Sequence, residues 1–297
     1  MKKALVIAGG GSKGAFAGGV AEYLIREKGN QYDLFVGTSS GNLLLPHLAI
    51  GAFDKIKAAM TNISQSDVFS SCPFLLRKNS QGYSTRINHL GIVGMFLRRK
   101  KTFGETLSLL RFIENTLNKA DYQQCQSISS DVFTCVANLT LGQVEYKRLK
   151  DYQRLEFCKW MWASSNIVPF MSLFECDGYS YGDGGFADLV PISKAIEEGA
   201  CDIDVIFLQP NQELSKKPPV QNALELAVRV FDFMLDQVGR DDVKIGVLES
   251  KRDHVNLRFY RPQVELTSNS LLFIPDQQKY WWNLGYETAK SGHQVPV

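Results

Sequence analysis

Residues 4–14 read Ala4-Leu5-Val6-Ile7-Ala8-Gly9-Gly10-Gly11-Ser12-Lys13-Gly14, and this stretch decides the fold. Its apolar run predicts a buried strand, its glycines a tight loop, and residues 15–27 a helix that ends near Gly29. A second apolar strand at residues 34–36 runs into another glycine-rich turn, and a helix starts near Asn42. Strands and helices that alternate through short glycine-rich connections indicate a mainly parallel α/β sheet.

The same alternation returns later in the chain. Residues 132–136 and 142–148 are predicted to form a pair of strands, residues 192–198 a helix, and residues 205–208 a buried strand. Apolar residues also recur at helical spacing between positions 221 and 238. We therefore expect further strands and helices of the same α/β sheet.

The domain organisation follows from a break near the end of this pattern. Pro218-Pro219 separates the strand region from the helix at 221–238 and is the best candidate boundary. We expect a main domain over residues 1–210, with a variable helical cap at about 60–120. Residues 211–297 are expected to add a helical and strand extension packed on the same domain. Its Tyr280-Trp281-Trp282 triplet is expected in the core, with an interfacial aromatic patch as the alternative.

Composition excludes several classes of protein. The chain has 297 residues, 44% of them hydrophobic, which is ample for a packed core. A net charge of +2 argues against a duplex-binding protein, so no nucleic-acid partner is expected. No apolar stretch approaches the length of a membrane span, and the first apolar run is too short for a signal peptide. Six scattered cysteines without a CxxC pair imply neither disulfides nor a zinc site. We expect a cytoplasmic chain.

One segment has an unusual charge pattern. Residues 68–104 contain no acid but seven lysines and arginines, and the Arg98-Arg99-Lys100-Lys101 run follows a group of apolar residues. Such a segment is either a solvated basic surface beside the core or a cap that docks on anionic lipid head groups. A peripheral position at a membrane surface is therefore an open alternative for this cytoplasmic chain.

The turn Gly37-Thr38-Ser39-Ser40-Gly41 matches the pattern G-x-S-x-G between a strand and a helix. In that setting a sharp turn lifts the oxygen of the central serine, Ser39, off the sheet, and the glycines let neighbouring backbones come close. The helix that follows presents amide groups toward developing negative charge. The pattern alone is common by chance, and an ordinary glycine-rich turn would also fit it.

The first glycine loop admits two interpretations. Residues 9–14 fit the dinucleotide-binding pattern G-x-G-x-x-G, which expects an acid at the carboxyl end of the second strand. Asp33 has the right separation but precedes that strand. The alternative is an oxyanion hole in which the amides of this loop face Ser39 from the adjacent strand.

A third glycine-flanked group, Tyr181-Gly182-Asp183-Gly184-Gly185, is by itself a common turn sequence. The three motifs together rarely occur by chance. In this order they resemble the patatin-like phospholipases, whose signature is G-G-G-x-[R/K]-G, then G-x-S-x-G, then D-G-[A/G]. Residues 163–169 look like the A-S-x-A-x-P segment of that family, with Asn166 in place of its usual alanine, and residues 188–200 look like the stretch after D-G-G. The resemblance covers roughly residues 3–208.

The resemblance implies a three-layer α/β/α patatin-like fold and a lipid acyl hydrolase of the phospholipase A or lysophospholipase type. Ser39 would be the nucleophile and Asp183 its base, with Gly184 and Gly185 supporting the pair. Gly37, Thr38, Ser40 and Gly41 would form the nucleophile elbow. No metal or cofactor is implied. The backbone amides of the Gly10–Gly11 region would stabilise the oxyanion. The whole oxyanion-hole loop of the family corresponds here to Gly9, Gly10, Gly11, Ser12, Lys13 and Gly14.

Three alternatives stay open at this point. A Ser–Asp–His triad would require His254 or His293, the two histidines that follow Asp183. An acyltransferase would use the same acyl-Ser39 intermediate with an alcohol in place of water. A catalytically idle lipid-binding module would keep the fold without the reaction. The expected partner is a phospholipid or lysophospholipid, and the oligomeric state is not determined by the sequence.

Overall fold

The structure is a computed structural model that describes residues 1–79, 82–210, 219–220, 223–267 and 269–292, without the side chains of 76–79, 82–85 and 224. Its strands and helices follow the alternation expected from the sequence. In chain order the strands are Lys3–Ile7 (β1), Leu34–Thr38 (β2), Phe74–Asn79 (β3), Gly82–Ile87 (β4), Asp131–Asn138 (β5), Gln143–Arg148 (β6), Phe174–Cys176 (β7), Tyr179–Asp183 (β8), Asp202–Ile206 (β9) and Asn256–Tyr260 (β10).

The helices connect and cover these strands. They are Gly14–Glu22 (α1), Leu45–Ala49 (α2), Phe53–Asn62 (α3), Gln65–Val68 (α4), His89–Leu97 (α5), Leu107–Thr116 (α6), Lys119–Ser127 (α7), Arg154–Ser164 (α8), Ile192–Glu197 (α9), Ala223–Arg252 (α10) and Pro275–Lys290 (α11). A π-helical turn, Tyr23–Glu27, continues α1. Short 3-10 turns follow β1, β2 and β8, and each of them overlaps one of the three sequence motifs.

The main sheet has the strand order β10-β9-β1-β2-β5-β8-β7, and β6 pairs with β5 outside that path. From β10 to β5 the strands are parallel, whereas β6, β8 and β7 are antiparallel to their neighbours. β1 turns Leu5 and Ile7 toward one apolar cluster and Ala4 and Val6 toward another, so helices cover both faces. The expected three-layer α/β/α fold with a mainly parallel sheet is confirmed.

The cap differs from its expected helical composition. Residues 60–120 contain α4, α5 and α6, but they also contain an antiparallel hairpin formed by β3 and β4. The strand Phe74–Asn79 carries a short apolar run, and a run of this length does not distinguish a strand from a helix. The cap is therefore mixed, with a hairpin inside the acid-free segment and ahead of the Arg98-Arg99-Lys100-Lys101 run.

The residues after the Pro218-Pro219 pair contact the main sheet and its helices. β10 extends the sheet beside β9, and α11 packs against α1 so closely that a Cβ at Gly19 would lie 1.9 Å from the carbonyl oxygen of Trp282. Trp281 and Trp282 are buried and Tyr280 is exposed. The expected core role of the aromatic triplet therefore holds for its two tryptophans. Pro218 itself lies outside the described residues.

The described helices and the six cysteines answer two further expectations, on membrane spans and on disulfides. Within the described ranges, no helix is both long enough and apolar enough to cross a bilayer. All six cysteines are free thiols, three of them buried. Cys135, Cys158 and Cys125 are the buried ones, and burial raises the pKa of each thiol.

Candidate active site

The strand register brings the three motifs together at the carboxyl edge of the parallel strands. β1 and β2 are neighbours, so the glycine loop after Ile7 lies beside the turn after Thr38. On the other side of β2, Thr38 is level with Cys135 of β5, and the next residue of β5, Val136, is opposite Asp183 of β8. Ser39 and Asp183 therefore reach the same level from two strands that flank β5.

The turn at Ser39 has the sharp geometry expected of an elbow. Ser39 has a φ of 53°, a left-handed conformation that is unusual for a residue with a side chain. A Cβ at Gly41 would lie 2.5 Å from the carbonyl oxygen of Ile7, so only glycine lets the turn approach β1. A Cβ at Gly37 would press on the Asn42 amide at 3.2 Å. The Thr38 hydroxyl donates to the carbonyl oxygen of Asp188 and ties the strand end to the neighbouring loop.

Ser39 and Asp183 form a direct, buried hydrogen bond. The Ser39 Oγ lies 2.7 Å from the Asp183 Oδ2, and the Gly185 amide donates to the Asp183 Oδ1 at 2.8 Å. Ser39 is 4% exposed and Asp183 1% exposed. Burial raises the pKa of Asp183 to about 7, against the two hydrogen bonds, which lower it. A carboxylate with a pKa near neutrality can accept and return a proton.

Gly184 and Gly185 hold this carboxylate close to β5. A Cβ at Gly184 would lie 2.3 Å from the carbonyl oxygen of Cys135, so no other residue fits this position without movement of the backbone. Gly185 supplies the amide that orients the second oxygen of Asp183. The pair that the sequence predicts as supporting residues is in direct contact with Asp183.

In the glycine loop, most amides are already engaged. The Gly9 amide donates to the carbonyl oxygen of Leu189 and the Ser12 amide to that of Ser270. Those of Lys13 and Gly14 donate within the loop, to the carbonyl oxygens of Gly10 and Gly11. The amides of Gly10 and Gly11 have no acceptor among the described residues. Of the amides of residues 9–14 that were expected as oxyanion donors, these two are the ones without an acceptor among the described residues.

Gly10 and Gly11 share a small cavity with the serine–aspartate pair. The cavity has a volume of about 30 Å³, and its wall includes both glycines, the Lys13 side chain, Ser39 and Asp183. Gly11 has a φ of 57°, and a Cβ there would lie 2.3 Å from the carbonyl oxygen of Ser270. The loop therefore lies between Ser39 and Ser270. Its Gly10 and Gly11 amides have no acceptor in the described part of the chain. Such a pair of amides can stabilise an oxyanion.

Residues 164–166, to which the sequence analysis assigned no role, form hydrogen bonds with the backbone of both Ser39 and Asp183. The Ser164 hydroxyl accepts from the Ser39 amide at 3.0 Å, and the Ser165 hydroxyl donates to the Ser39 carbonyl oxygen at 3.2 Å. The Asn166 carbonyl oxygen accepts from the Asp183 amide at 2.9 Å. Residues 163–169 carry the only sequence signal of this role, their similarity to the A-S-x-A-x-P segment.

Helix α10 covers the site, which the sequence did not predict. The periodicity indicated a helix over 221–238, whereas α10 has 30 residues and ends at Arg252. Asp232, Leu235 and Asp236 of α10 contribute to the wall of the small cavity.

The Asp242 carboxylate of α10 accepts from the amides of Leu189 and Val190 at 2.7 and 3.0 Å. Burial, and then the nearby carboxylate of Asp188, raise the pKa of Asp242 to about 7.

A second, apolar cavity lies beside the first. Its volume is about 280 Å³, and Leu235 belongs to the walls of both cavities. Leu235 therefore separates the serine–aspartate pair from an apolar space. The other wall residues are apolar as well and come from α10 and three loops: Leu139, Val168, Phe186, Phe231, Met234 and Val238.

The structure does not bring a described histidine to Asp183. The carboxylate contacts only the Ser39 hydroxyl and the Gly185 amide among the described residues. His254 is exposed and precedes β10, at the edge of the sheet opposite Ser39. His47 is buried with its ring against the Thr116 carbonyl oxygen, and burial lowers its pKa. His293 lies outside the described residues.

The acid required for dinucleotide binding is also at the wrong edge. Asp33 precedes β2, and its carboxylate accepts from the Lys3 amide at 2.8 Å, at the amino end of β1. The glycine loop follows the carboxyl end of the same strand. In the described part of the chain, no group of three or more histidine, cysteine, aspartate or glutamate residues is arranged to hold a metal ion.

Known proteins resemble this chain in family signature, in sequence and in fold. The family model for patatin-like phospholipases matches residues 5–196. The uncharacterized protein YjjU of Escherichia coli is 26% identical over 220 residues, which are 70% of this chain and 52% of YjjU. The crystal structure of VipD from Legionella pneumophila has a TM-score of 0.50 at 12% identity, over 98% of this chain and 66% of VipD. The chain thus spans about half of YjjU and just under two thirds of VipD, and the likeness to VipD concerns the fold alone.

Proposed function

Because the chain belongs to the patatin-like phospholipase family, we propose that it cleaves fatty-acyl esters of phospholipids or lysophospholipids through Ser39 and Asp183. The observation that carries the proposal is the 2.7 Å hydrogen bond between the Ser39 Oγ and the Asp183 Oδ2. It lies beside two amides, those of Gly10 and Gly11, that have no acceptor among the described residues. Nucleophile, base and oxyanion donors are thereby present in one cavity.

The reaction begins when the Ser39 oxygen attacks the ester carbonyl carbon and its proton passes to the Asp183 carboxylate. The carbonyl oxygen becomes an oxyanion, which the Gly10 and Gly11 amides stabilise. The tetrahedral intermediate breaks its bond to the alcohol, and protonated Asp183 gives its proton to the departing alkoxide. Water, deprotonated by Asp183, then attacks the carbonyl carbon of acyl-Ser39. The second tetrahedral intermediate breaks its bond to the Ser39 oxygen, which takes the proton back from Asp183, and the fatty acid is released.

The apolar cavity supports a fatty-acyl substrate. A volume of about 280 Å³ is close to the lower end of small-molecule pockets, and its lining carries hydrocarbon side chains. We assign this cavity to the acyl chain, with Leu235 at its border with Ser39. The smaller cavity holds about 30 Å³, about the volume of one water molecule. We therefore expect the side chain of Leu235 to move, or α10 to shift, when an ester reaches Ser39.

The test of the proposed function is product analysis. The purified chain is incubated with mixed diacyl phospholipids and lysophospholipids, and the products are identified by mass spectrometry. We expect free fatty acid and the deacylated lipid, and neither with the Ser39→Ala variant. Acyl transfer to an added alcohol in place of fatty-acid release would assign transferase activity instead. The absence of either product, together with no labelling of Ser39 by a fluorophosphonate, would contradict an enzyme.

The pH dependence of hydrolysis should follow Asp183. Its burial raises the pKa to about 7, and only the ionised carboxylate accepts the Ser39 proton. We therefore expect kcat/KM for a soluble short-chain ester to fall about tenfold per pH unit below that pKa and to be constant above it. The measurement is a pH–rate profile in constant-ionic-strength buffers. A decrease in kcat/KM that begins only near pH 4, the ordinary range of an aspartate, would contradict the raised pKa of Asp183.

Leu235→Ala should join the two cavities. We expect labelling of Ser39 by a long-chain fluorophosphonate to become about tenfold faster, equivalent to about 1.4 kcal/mol of the barrier. The matched control is Leu248→Ala, which truncates an exposed leucine of the same helix outside both cavities. The labelling rates are followed by intact-protein mass spectrometry. Equal rates for the wild type and Leu235→Ala would show that Leu235 does not limit access.

A further inference from the structure

Helix α5 presents an apolar face to solvent. Of its nine residues, Met95 is the buried one. Leu90 is 88% exposed, Phe96 63% and Leu97 80%, and Val93 is also exposed. Large apolar side chains that are exposed together on one short helix mark an interaction site more often than a free surface.

A second apolar stripe lies on the part of α10 that covers the active site. Leu226, Val230, Phe233 and Met234 are all exposed, Phe233 by 62%. Their spacing of four, three and one residues places them on one side of the helix. Leu235, the next residue, points to the cavities instead. The same helical segment therefore covers Ser39 with one side and exposes hydrocarbon with the other.

A chain of aromatic rings connects the two apolar surfaces. The rings of Phe96 and Phe103 have centroids 6.1 Å apart, those of Phe103 and Phe170 6.1 Å, and those of Phe170 and Phe231 5.4 Å. Phe96 belongs to α5 and Phe231 to α10, so a continuous row of ring contacts joins the two helices. The apolar cavity reaches the surface there, since Leu139 and Met234 are wall residues that are also exposed.

Positive charge accompanies this apolar surface. Arg86, Arg98 and Arg99 are exposed, and none of them makes an ion pair with a residue that the structure describes. Lys100 and Lys101 of the same run are paired with Glu105 and Glu175. The side chains of Arg77 and Lys78 lie outside the described part. Three unpaired guanidinium groups beside exposed hydrocarbon match the two layers of an anionic bilayer, its head groups and its acyl chains.

We propose that α5 and the exposed stripe of α10 form a docking surface for an anionic phospholipid bilayer. In the docked protein the apolar side chains enter the acyl region, and Arg86, Arg98 and Arg99 contact lipid phosphates. The apolar cavity then faces the bilayer, so that an acyl chain passes from the membrane to Ser39 without crossing water. This last step rests on the proposed function, whereas docking does not.

The test measures binding with a chain that cannot consume lipid. Ser39→Ala protein is sedimented with vesicles of phosphatidylcholine alone and of phosphatidylcholine mixed with phosphatidylglycerol. We expect stronger binding to the anionic vesicles, weakened by added salt. Phe96→Ser with Leu97→Ser should lower the partition coefficient at least about tenfold, and so should Val230→Ser with Phe233→Ser. Arg98→Gln with Arg99→Gln should lower binding to the anionic vesicles alone.

Two control proteins carry matched changes elsewhere. Leu155→Ser with Tyr280→Ser removes exposed apolar side chains from α8 and α11, and Lys28→Gln with Lys159→Gln removes two exposed charges. Both should bind as the parent does. Equal losses in the control and docking variants, or no loss in the docking variants, would overturn the proposal. So would a dimer that dissociates with the same substitutions, measured by light scattering, because the surface would then bind a second copy.

The docking variants of α5 are also made in the active chain, with Ser39 present. Hydrolysis of a soluble short-chain ester should stay within about twofold of the wild type, whereas hydrolysis of anionic vesicles should fall as binding falls. Hydrolysis of soluble and vesicle esters without vesicle binding would overturn docking and leave the enzyme proposal intact. Vesicle binding without hydrolysis of any ester would support docking and contradict the enzyme proposal.

Discussion

Ser39→Ala and Asp183→Asn are each expected to reduce ester hydrolysis at least about 1,000-fold. Alanine at position 39 removes the oxygen that attacks the carbonyl carbon. Asparagine at position 183 keeps the shape and an oxygen that accepts from the Gly185 amide, but it cannot take the Ser39 proton. The measurement is kcat/KM for a soluble short-chain ester, together with fluorophosphonate labelling. Thermal unfolding of each variant shows whether the fold is intact.

Two histidine variants are the controls for this result. They are His254→Ala and His293→Ala. Each replaces a histidine that follows Asp183 in the chain and could be the third member of a triad. His254 lies at the opposite edge of the sheet, and we expect both variants to keep the wild-type rate within about twofold. A loss of activity in either folded variant would contradict a serine–aspartate dyad. Retention of hydrolysis by Asp183→Asn would do the same.

Gly11→Ala is expected to reduce hydrolysis about 100- to 1,000-fold, as the loss of one oxyanion donor does. The new Cβ would lie 2.3 Å from the carbonyl oxygen of Ser270, so the loop must shift and carry the Gly10 and Gly11 amides away from Ser39. The backbone at Gly11 also has a positive φ, which is unfavourable for alanine by about 1–2 kcal/mol. Activity and the free energy of unfolding are both measured.

Gly29→Ala is the control for Gly11→Ala. It introduces the same kind of backbone strain without displacing the glycine loop beside Ser39. Gly29 has a φ of 73°, but nothing lies within 4 Å of a Cβ at that position. Its alanine variant should lose a similar free energy of unfolding from backbone strain and keep its activity. If Gly11→Ala were as active as Gly29→Ala, the oxyanion role of the first loop would be contradicted.

The first half of the fold could be predicted because its signals are local. The apolar run at residues 4–8 and its glycines led to β1 and to the start of α1 within one residue, and the predicted helix end at residue 27 is the end of the π-helical turn that continues α1. The hairpin of β3 and β4 was missed, since a short apolar run fits either kind of element. The length of α10 was missed because polar residues after Val238 hide the helical period, although contacts with Ile192 and Leu189 support it there.

The site was predictable to the extent that each motif carries its own geometry. A serine between glycines after a strand identifies Ser39, and the Asp-Gly-Gly turn identifies Asp183 as a candidate. The family resemblance pointed to the amides of the Gly10–Gly11 region as donors, but the partners of the other amides in the first loop were not predictable. Leu189 and Ser270, far along the chain, accept from the Gly9 and Ser12 amides, and only the folded backbone determines those partners.

The sequence by itself determined the α/β class and the strand–turn–helix units, because residue type limits backbone geometry over a few positions. Its motifs also made Ser39 and Asp183 the candidate catalytic residues. Tertiary structure alone decided that these two residues, 144 positions apart, form a hydrogen bond. It also decided that α10 closes over them and that the Gly10 and Gly11 amides have no acceptor among the residues that the structure describes. These features depend on strand register and on contacts between distant segments, and no local pattern in the chain specifies them.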